Sequence, residues 1–221
     1  MKEFKVKNIR NFITVGQARV LTMIFNEFNT GKIKQSGEGP CYELSRNPFF
    51  DLFLDIVKPE IEGIVGQSLV PTYAFARKYL KGSALPKHVD RDSCVYTSTL
   101  TLCGSDDSIW PIYYLDDGKN VKVKNKAGDL LVLKGCEIPH WREKLCSREK
   151  LQLFLHYVPN EQQYKEYFYD GCKKLSLSCD DTGLGETAAI EDQEQLKNDF
   201  FCGAVDAVEI IQQQRRRKHE K

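Results

Sequence analysis

Residues 79–90 read Tyr-Leu-Lys-Gly-Ser-Ala-Leu-Pro-Lys-His-Val-Asp and place His88 and Asp90 two positions apart. On an extended strand, side chains at i and i+2 point to the same face, so this imidazole and this carboxylate can converge on one ion. His140 follows 50 residues after Asp90, directly behind an Ile-Pro pair. Two histidines and one carboxylate on one face of an octahedral metal leave three positions open, an arrangement that suits Fe(II). These three residues are the candidate metal ligands.

The chain on both sides of these residues has the composition of short strands separated by turns. Strands are predicted over Tyr73–Tyr79, Val95–Leu102, Trp110–Leu115, Val121–Lys124, Leu130–Leu133 and Leu151–Val158. Six strands in about 90 residues predict a sandwich or barrel of the jelly-roll type. In a double-stranded β-helix, the distance from Asp90 to His140 returns the chain to the neighbouring strand.

Helical patterns flank this β-rich region. The spacing of apolar residues predicts helices over Gln17–Phe28 and Pro48–Val65, the second kinked or split at Pro59. A loop is predicted over Gln35–Pro40. After Pro159, helices are predicted over Glu161–Tyr169 and Glu191–Gln214, with a polar loop over Cys179–Glu186 and a solvated basic tail over Arg215–Lys221.

These patterns divide the chain into three regions. We expect a mainly helical support region over 1–68, the β-rich core over 69–159, and a C-terminal helical extension with its basic tail over 160–221.

Composition narrows the class of protein. Thirty-two basic and 31 acidic residues give a net charge of +1, which disfavours a nucleic-acid partner. Apolar runs are far shorter than the roughly 20 residues of a membrane span, and no apolar stretch follows the charged start. Eight cysteines occur without Cys-x-x-Cys spacing. We therefore expect an intracellular, cytoplasmic protein with reduced thiols and no structural zinc site.

Two motifs resemble a known family. Residues 79–90 resemble the Tyr-x-x-Gly-x-x-Leu-x-x-His-x-Asp pattern of the prolyl-4-hydroxylase-like Fe(II)/2-oxoglutarate dioxygenases. Residues 127–135 read Ala-Gly-Asp-Leu-Leu-Val-Leu-Lys-Gly. Together with Pro139 and His140, they resemble the Pro-Gly-Asp strand that leads into the distal histidine of that family. The resemblance covers about Leu69 to Val158.

The resemblance implies the fold and the cofactors. The fold class is α+β, with a double-stranded β-helix (jelly-roll, cupin-like) core and flanking N- and C-terminal helices. His88, Asp90 and His140 bind Fe(II), 2-oxoglutarate and O2 are the cosubstrates, and ascorbate can serve as reductant. Such enzymes hydroxylate an unactivated C–H bond and release succinate and CO2. Family halogenases have a small residue at the position of Asp90, so its carboxylate favours hydroxylation.

The resemblance also implies cosubstrate contacts. Lys150 lies ten residues after His140, where the family places the basic residue that holds the far carboxylate of 2-oxoglutarate. Strand parity would place it on the inward face with Gln152. Arg142 and Arg148 compete for this role. Tyr79 matches a family tyrosine near the cosubstrate.

Other polar and aromatic residues have competing interpretations. Arg77 needs a partner, which is either a carboxylate of a bound molecule or an ordinary salt bridge. His156 is expected to be structural rather than a ligand. Trp110 and Trp141 are interpreted as packing residues or pocket walls.

The substrate stays open at this stage. It is a peptidyl side chain, with proline the common choice in related enzymes, or a free amino acid or other small molecule. The alternatives to a hydroxylase are a non-catalytic jelly-roll binding module and a nucleic-acid demethylase of the same superfamily, which only Arg215–Lys218 supports. Oligomeric state is not predicted.

Overall fold

The structure is a computed structural model that describes residues 4–29, 31–171 and 190–219. Within those ranges the chain forms four α-helices and eleven β-strands. The helices are α1 (Val15–Phe28), α2 (Pro48–Ile56), α3 (Lys58–Val65) and α4 (Ile190–His219). The strands are β1 (Val6–Ile9), β2 (Lys34–Ser36), β3 (Gly39–Ser45), β4 (Leu69–Leu80), β5 (Leu85–His88), β6 (Tyr96–Thr101), β7 (Ile112–Asp116), β8 (Lys119–Val123), β9 (Leu130–Lys134), β10 (His140–Arg142) and β11 (Glu149–Pro159).

The strands form two antiparallel sheets. A seven-stranded sheet has the order β1-β9-β6-β11-β4-β3-β2, and a four-stranded sheet has the order β5-β10-β7-β8. Ile112 and Val123 of the small sheet pack with Leu131 and Leu133 of the large sheet in one buried cluster. The two sheets therefore face each other. The predicted combination of helices with an antiparallel β-rich core is confirmed.

Successive side chains of β11 lie in two different buried clusters, one on each face of the large sheet. Leu153 and Leu155 lie in the core that the large sheet shares with the helices. Phe154 belongs to a separate buried cluster with Tyr79 and Trp110. Because successive side chains of a strand point to opposite faces, the even-numbered residues of β11 face the small sheet.

The helices cover the other face of the large sheet. Leu21 of α1, Phe53 of α2 and Phe200 of α4 belong to the same buried core as Leu153. Burial of each such side chain stabilises the fold by about 1.5–3 kcal/mol. The helices thus brace the large sheet, whose opposite face packs against the small sheet.

Local sequence signals explain where the helices begin. Thr14 and Gln17 form a capping box ahead of α1, and the side chain of Asn47 caps α2. The predicted interruption of the second helical segment is confirmed as a split, because α2 ends at Ile56 and α3 begins at Lys58. Pro59 lies in the first turn of α3, where a missing N–H is tolerated.

The predicted loop over Gln35–Pro40 is wrong. Strands β2 and β3 form a hairpin there and extend the large sheet beyond β4. Gly39 has a φ of +100°, and a Cβ on it would lie 2.8 Å from the Cα of Ser83. The Gly-Pro pair therefore reflects this close approach near the sheet edge, where proline is also tolerated.

The region after Pro159 differs in part from the prediction. Residues Gln162–Gly171 form 3-10 turns interrupted at Phe168–Asp170, rather than one helix. The helix predicted over Glu191–Gln214 is confirmed as α4, whose backbone continues to His219 and so includes most of the predicted basic tail. The loop predicted over Cys179–Glu186 lies outside the described residues.

The predicted region boundaries fall at strand ends. β4 begins at Leu69 and β11 ends at Pro159. However, β1 to β3 and α4 join the sheet or its core, so the three-part division stays a proposal. None of the six cysteines within the described ranges is in a disulfide. No helix in the described part of the chain is long and apolar enough to cross a membrane.

Candidate metal centre

Sheet register brings the two candidate histidine ligands together. His88 is the last residue of β5 and His140 is the first residue of β10. The two residues are direct antiparallel partners, and their ring centroids are 4.4 Å apart. Backbone pairing therefore brings together two histidines that are 52 positions apart in the sequence.

Asp90 completes the group from just beyond the end of β5. Its N–H donates to the carbonyl of Gly135 at 2.8 Å, which fixes the backbone there. Its Oδ1 lies 3.3 Å from Nε2 of His88 and 3.6 Å from Nε2 of His140. One ligand atom from each residue lies within 4.8 Å of the others. The predicted ligand atoms thus converge on one small volume.

Each histidine ring is held in the tautomer that a metal ligand requires. Nδ1 of His88 lies 2.8 Å from the carbonyl of Pro86, and Nδ1 of His140 lies 2.9 Å from the carbonyl of Ile138. A carbonyl only accepts hydrogen bonds, so both Nδ1 atoms carry protons and both Nε2 atoms, the positions left for a metal, face Asp90. Imidazole ligands of metals commonly have this second hydrogen bond. The donor set therefore fits Fe(II).

The charges of the three groups also suit a cation. Burial opposes the charge on Asp90, but the hydrogen bond from His88 and the nearby His140 hold the pKa of this carboxyl at about 2. Burial lowers the pKa of His140, against the attraction of Asp90. At neutral pH the site therefore presents a carboxylate and a neutral buried imidazole, both ready to bind a metal.

Two residues behind Asp90 were missed as site residues in the sequence. The hydroxyl of Thr97 donates to Oδ2 of Asp90 at 2.6 Å, so Thr97 accepts from Nδ1 of His156 at 3.1 Å. Burial lowers the pKa of His156 to about 4, which keeps it neutral. His156 thus supports Asp90 through Thr97, in keeping with the structural role expected for it.

Gly135 leaves the space that Asp90 occupies. A Cβ at position 135 would lie 2.4 Å from Oδ2 of Asp90, 2.4 Å from the carbonyl of Cys94 and 2.6 Å from Oγ1 of Thr97. Two of these atoms hold Asp90 or belong to it, and the third is backbone. In the sequence, the only sign of this constraint was a glycine directly after Lys134, the last residue of β9.

Gly135→Ala is therefore expected to displace Asp90. We expect Mn(II) affinity to fall about 10- to 100-fold, as when the group behind a ligand is lost, with a lower melting temperature. Gly203→Ala is the matched control, because a Cβ at that α4 position meets no atom within 4 Å. Metal titration and thermal unfolding of both variants measure this. Unchanged Mn(II) affinity in Gly135→Ala would contradict the role given to Gly135.

The three candidate cosubstrate residues lie in the interior between the two sheets, Lys150 and Tyr79 on the large sheet and Arg142 on the small sheet. Lys150 and Tyr79 are register partners on β11 and β4. The side chain of Arg142 lies over the ring of Trp110 at 4.8 Å and donates to Oε1 of Gln152 at 3.1 Å. Tyr79 meets Trp110 edge-on, and burial raises the pKa of Tyr79 to about 12.

The structure shows the surroundings of three other candidate residues, Arg77, Trp141 and Arg148. Arg77 forms ion pairs with Glu38 and Glu43, so it has the ordinary salt-bridge partners. Trp141 stacks on Tyr113 of β7 at 5.6 Å, away from the cluster that contains Trp110. Arg148 is exposed, so it is not placed to bind a buried carboxylate of the cosubstrate.

A cavity of about 470 Å³ opens at the Lys150 end of this interior. Trp110, Lys150 and Gln152 line one side of it, and residues 103–109 contribute to the rest. Since Trp110 and Gln152 are also the contacts of Arg142, the cavity lies next to the guanidinium group. Of the three candidate cosubstrate residues, Lys150 lines this cavity, so a small polar molecule bound there would contact Lys150.

No protein-family model and no curated protein matches the chain. Solved structures do match. A prolyl-4-hydroxylase from Pseudomonas putida superposes with a TM-score of 0.57 at 18% identity, covering 71% of this chain and 94% of its own. The chain has the fold of the 2-oxoglutarate- and Fe(II)-dependent oxygenases. The resemblance stated from the motifs is thereby confirmed at the level of the fold.

Two further structures with this oxygenase fold carry bound groups. HygX from Streptomyces hygroscopicus, with nickel and 2-oxoglutarate bound, matches with a TM-score of 0.56 at 14% identity, covering 71% of this chain and 83% of its own. A prolyl hydroxylase from Trichoplax adhaerens, in complex with a peptide fragment of hypoxia inducible factor, matches with a TM-score of 0.54 at 15% identity, covering 69% and 83%.

Proposed function

We propose that the protein is an Fe(II)- and 2-oxoglutarate-dependent dioxygenase that hydroxylates an unactivated C–H bond and releases succinate and CO2. The convergence of His88, Asp90 and His140, with both Nε2 atoms turned toward the carboxylate, carries this proposal. The oxygenase fold of the chain supports it. We also propose that the two facing sheets form a double-stranded β-helix.

The chain's own residues would hold and orient the reactants. Bound Fe(II), with 2-oxoglutarate and O2, would supply the oxidising chemistry. Thr97 would keep Oδ2 of Asp90 engaged, so that Oδ1 is the oxygen offered to the metal. The buried cluster of Tyr79, Trp110 and Phe154 would exclude water from the interior beside the metal. Tyr79 and Arg142 would lie beside the cosubstrate.

Hydroxylation is favoured over halogenation because position 90 holds a carboxylate. In family halogenases a small residue at this position leaves room for chloride on the metal. Here Asp90 lies in contact distance of both histidines and is held on its other oxygen by Thr97.

The exposure of the two histidines indicates from which side a substrate would approach the metal. The side chain of His88 is 35% exposed, whereas that of His140 is 5% exposed. A metal held between them would be approached from the His88 side, near the surface. Such an approach admits a peptidyl side chain, with proline as a candidate, and also a free amino acid or other small molecule. A prolyl hydroxylase with this fold has a solved complex with a peptide fragment, which supports a peptidyl side chain as the first candidate substrate.

Succinate formation tests the reaction. Purified protein is mixed with Fe(II), ascorbate and 2-oxoglutarate under air, and succinate is measured by mass spectrometry. We expect slow succinate formation without added substrate, dependent on both metal and cosubstrate. Addition of proline-containing peptide pools or amino-acid mixtures should increase it and yield a product heavier by one oxygen atom. Absence of metal binding at neutral pH would instead favour a non-catalytic binding module.

A further inference from the structure

Arg142 is a buried cation without an acidic partner among the described residues. Its side chain is on the inner face of β10, and the residue is 3% exposed. Its guanidinium group donates to the carbonyl of Trp110 at 2.5 Å and to Oε1 of Gln152 at 3.1 Å. Both acceptors are neutral, so neither compensates the charge.

Neighbouring cations of the same interior differ in this respect. Lys150 donates to the carbonyl and to Oδ1 of Asp106, at 2.8 and 2.9 Å. Arg77 is paired with two glutamates. The fold therefore supplies carboxylates to these two cations and leaves the most deeply placed guanidinium to neutral groups.

An uncompensated buried charge is costly to a fold. A guanidinium group stays protonated at neutral pH in proteins. A folded protein retains such a group where a bound anion completes the pairing, and a guanidinium binds a carboxylate through two parallel hydrogen bonds. A carboxylate of a bound molecule would complete the pairing that the described residues leave open.

The position of Arg142 relative to the metal ligand His140 indicates which carboxylate would bind there. Arg142 is two residues beyond His140 on β10, which corresponds to roughly 7 Å along a strand. A short dicarboxylate with one end at the metal would have its other end at this guanidinium.

We propose that Arg142, rather than Lys150, holds the far carboxylate of 2-oxoglutarate, and that Lys150 ties residues 103–109 to the sheet through Asp106. This inference rests on the proposed function. It departs from the family resemblance, which places the anchor at Lys150. In this chain the lysine charge is already neutralised, and Gly104 packs so closely that a Cβ there would lie 3.3 Å from Nζ.

The test compares two ligands on three proteins without turnover. Mn(II)-loaded wild type, Arg142→Gln and Lys150→Gln are titrated under argon with 2-oxoglutarate and with 2-oxobutyrate, which lacks the far carboxylate. Calorimetry gives the affinities, and intrinsic tryptophan fluorescence, to which Trp110 beside Arg142 contributes together with Trp141, gives a second signal. We expect wild type to bind 2-oxoglutarate roughly 100-fold more tightly, since loss of one member of a buried charge pair has effects of this size.

Arg142→Gln should reduce this preference to a few-fold, and Lys150→Gln should leave it nearly intact. Loss of the preference in Lys150→Gln overturns the inference, even if Arg142→Gln fails to fold. A folded Arg142→Gln variant that keeps the wild-type preference also overturns it, because its side chain carries no charge for the far carboxylate. In both cases wild type still binds metal and 2-oxoglutarate. Wild type that binds neither refutes the proposed function itself.

Discussion

His88→Ala is expected to abolish metal binding and metal-dependent succinate formation while leaving the fold intact. The imidazole supplies one of three ligand atoms, and its side chain is 35% exposed, so its removal opens no cavity in a core. We expect the affinity for Mn(II) to fall by more than about 100-fold, beyond the 10- to 100-fold cost of losing a group that only supports a ligand. Calorimetric titration measures the affinity, and succinate release measures the reaction.

Val89→Ala is the matched control for this variant. Val89 lies between His88 and Asp90, is 47% exposed, and alternates to the opposite side of the chain. Its truncation should change neither metal affinity nor succinate release by more than about twofold. If His88→Ala binds Mn(II) as tightly as Val89→Ala does, the metal centre is not formed by these three residues.

The part of the site that was predictable from sequence depends on strand periodicity. His88 and Asp90 follow the spacing that brings two side chains to one face, and the apolar strand ending before His140 is recognisable by composition. Antiparallel pairing then makes His88 and His140 direct partners. The same strand geometry thus explains both the spacing of the motif residues and the pairing that brings the two histidines together.

The remaining part depends on contacts that no spacing encodes. Asp106, which neutralises Lys150, lies in an exposed connection between β6 and β7 without periodic pattern. Thr97 reads as one of several β-branched residues in a strand, although its hydroxyl orients Asp90. The β2–β3 hairpin was hidden because glycine and proline usually mark turns. Each case is a tertiary interaction that overrides a local preference.

The helices were recognisable from their apolar spacing, but their dependence on one another was not. Phe53 of α2 is fully buried, and its ring lies 5.6 Å from that of Phe200 and 5.7 Å from that of Phe201 on α4. These contacts join segments almost 150 residues apart in the chain. The C-terminal helix is therefore part of the layer that braces the large sheet, rather than a separate appendage.

Phe53→Ala is accordingly expected to lower the free energy of unfolding by about 3–5 kcal/mol, the usual cost of truncating a buried phenylalanine. The cavity would lie between α2 and α4, so α4 should detach first, and its backbone amides should lose protection in hydrogen exchange before those of β11. Chemical denaturation gives the free energy, and exchange mass spectrometry gives the order of opening.

Ile210→Ala provides the comparison on the same helix. Ile210 is 53% exposed, so its truncation should change the unfolding free energy by less than about 0.5 kcal/mol. Equal effects of the two substitutions would mean that α4 does not share a core with α2. A large loss confined to Phe53→Ala would instead tie the stability of the large sheet to the C-terminal helix, because both strands that pair with β11 contribute side chains to the same core.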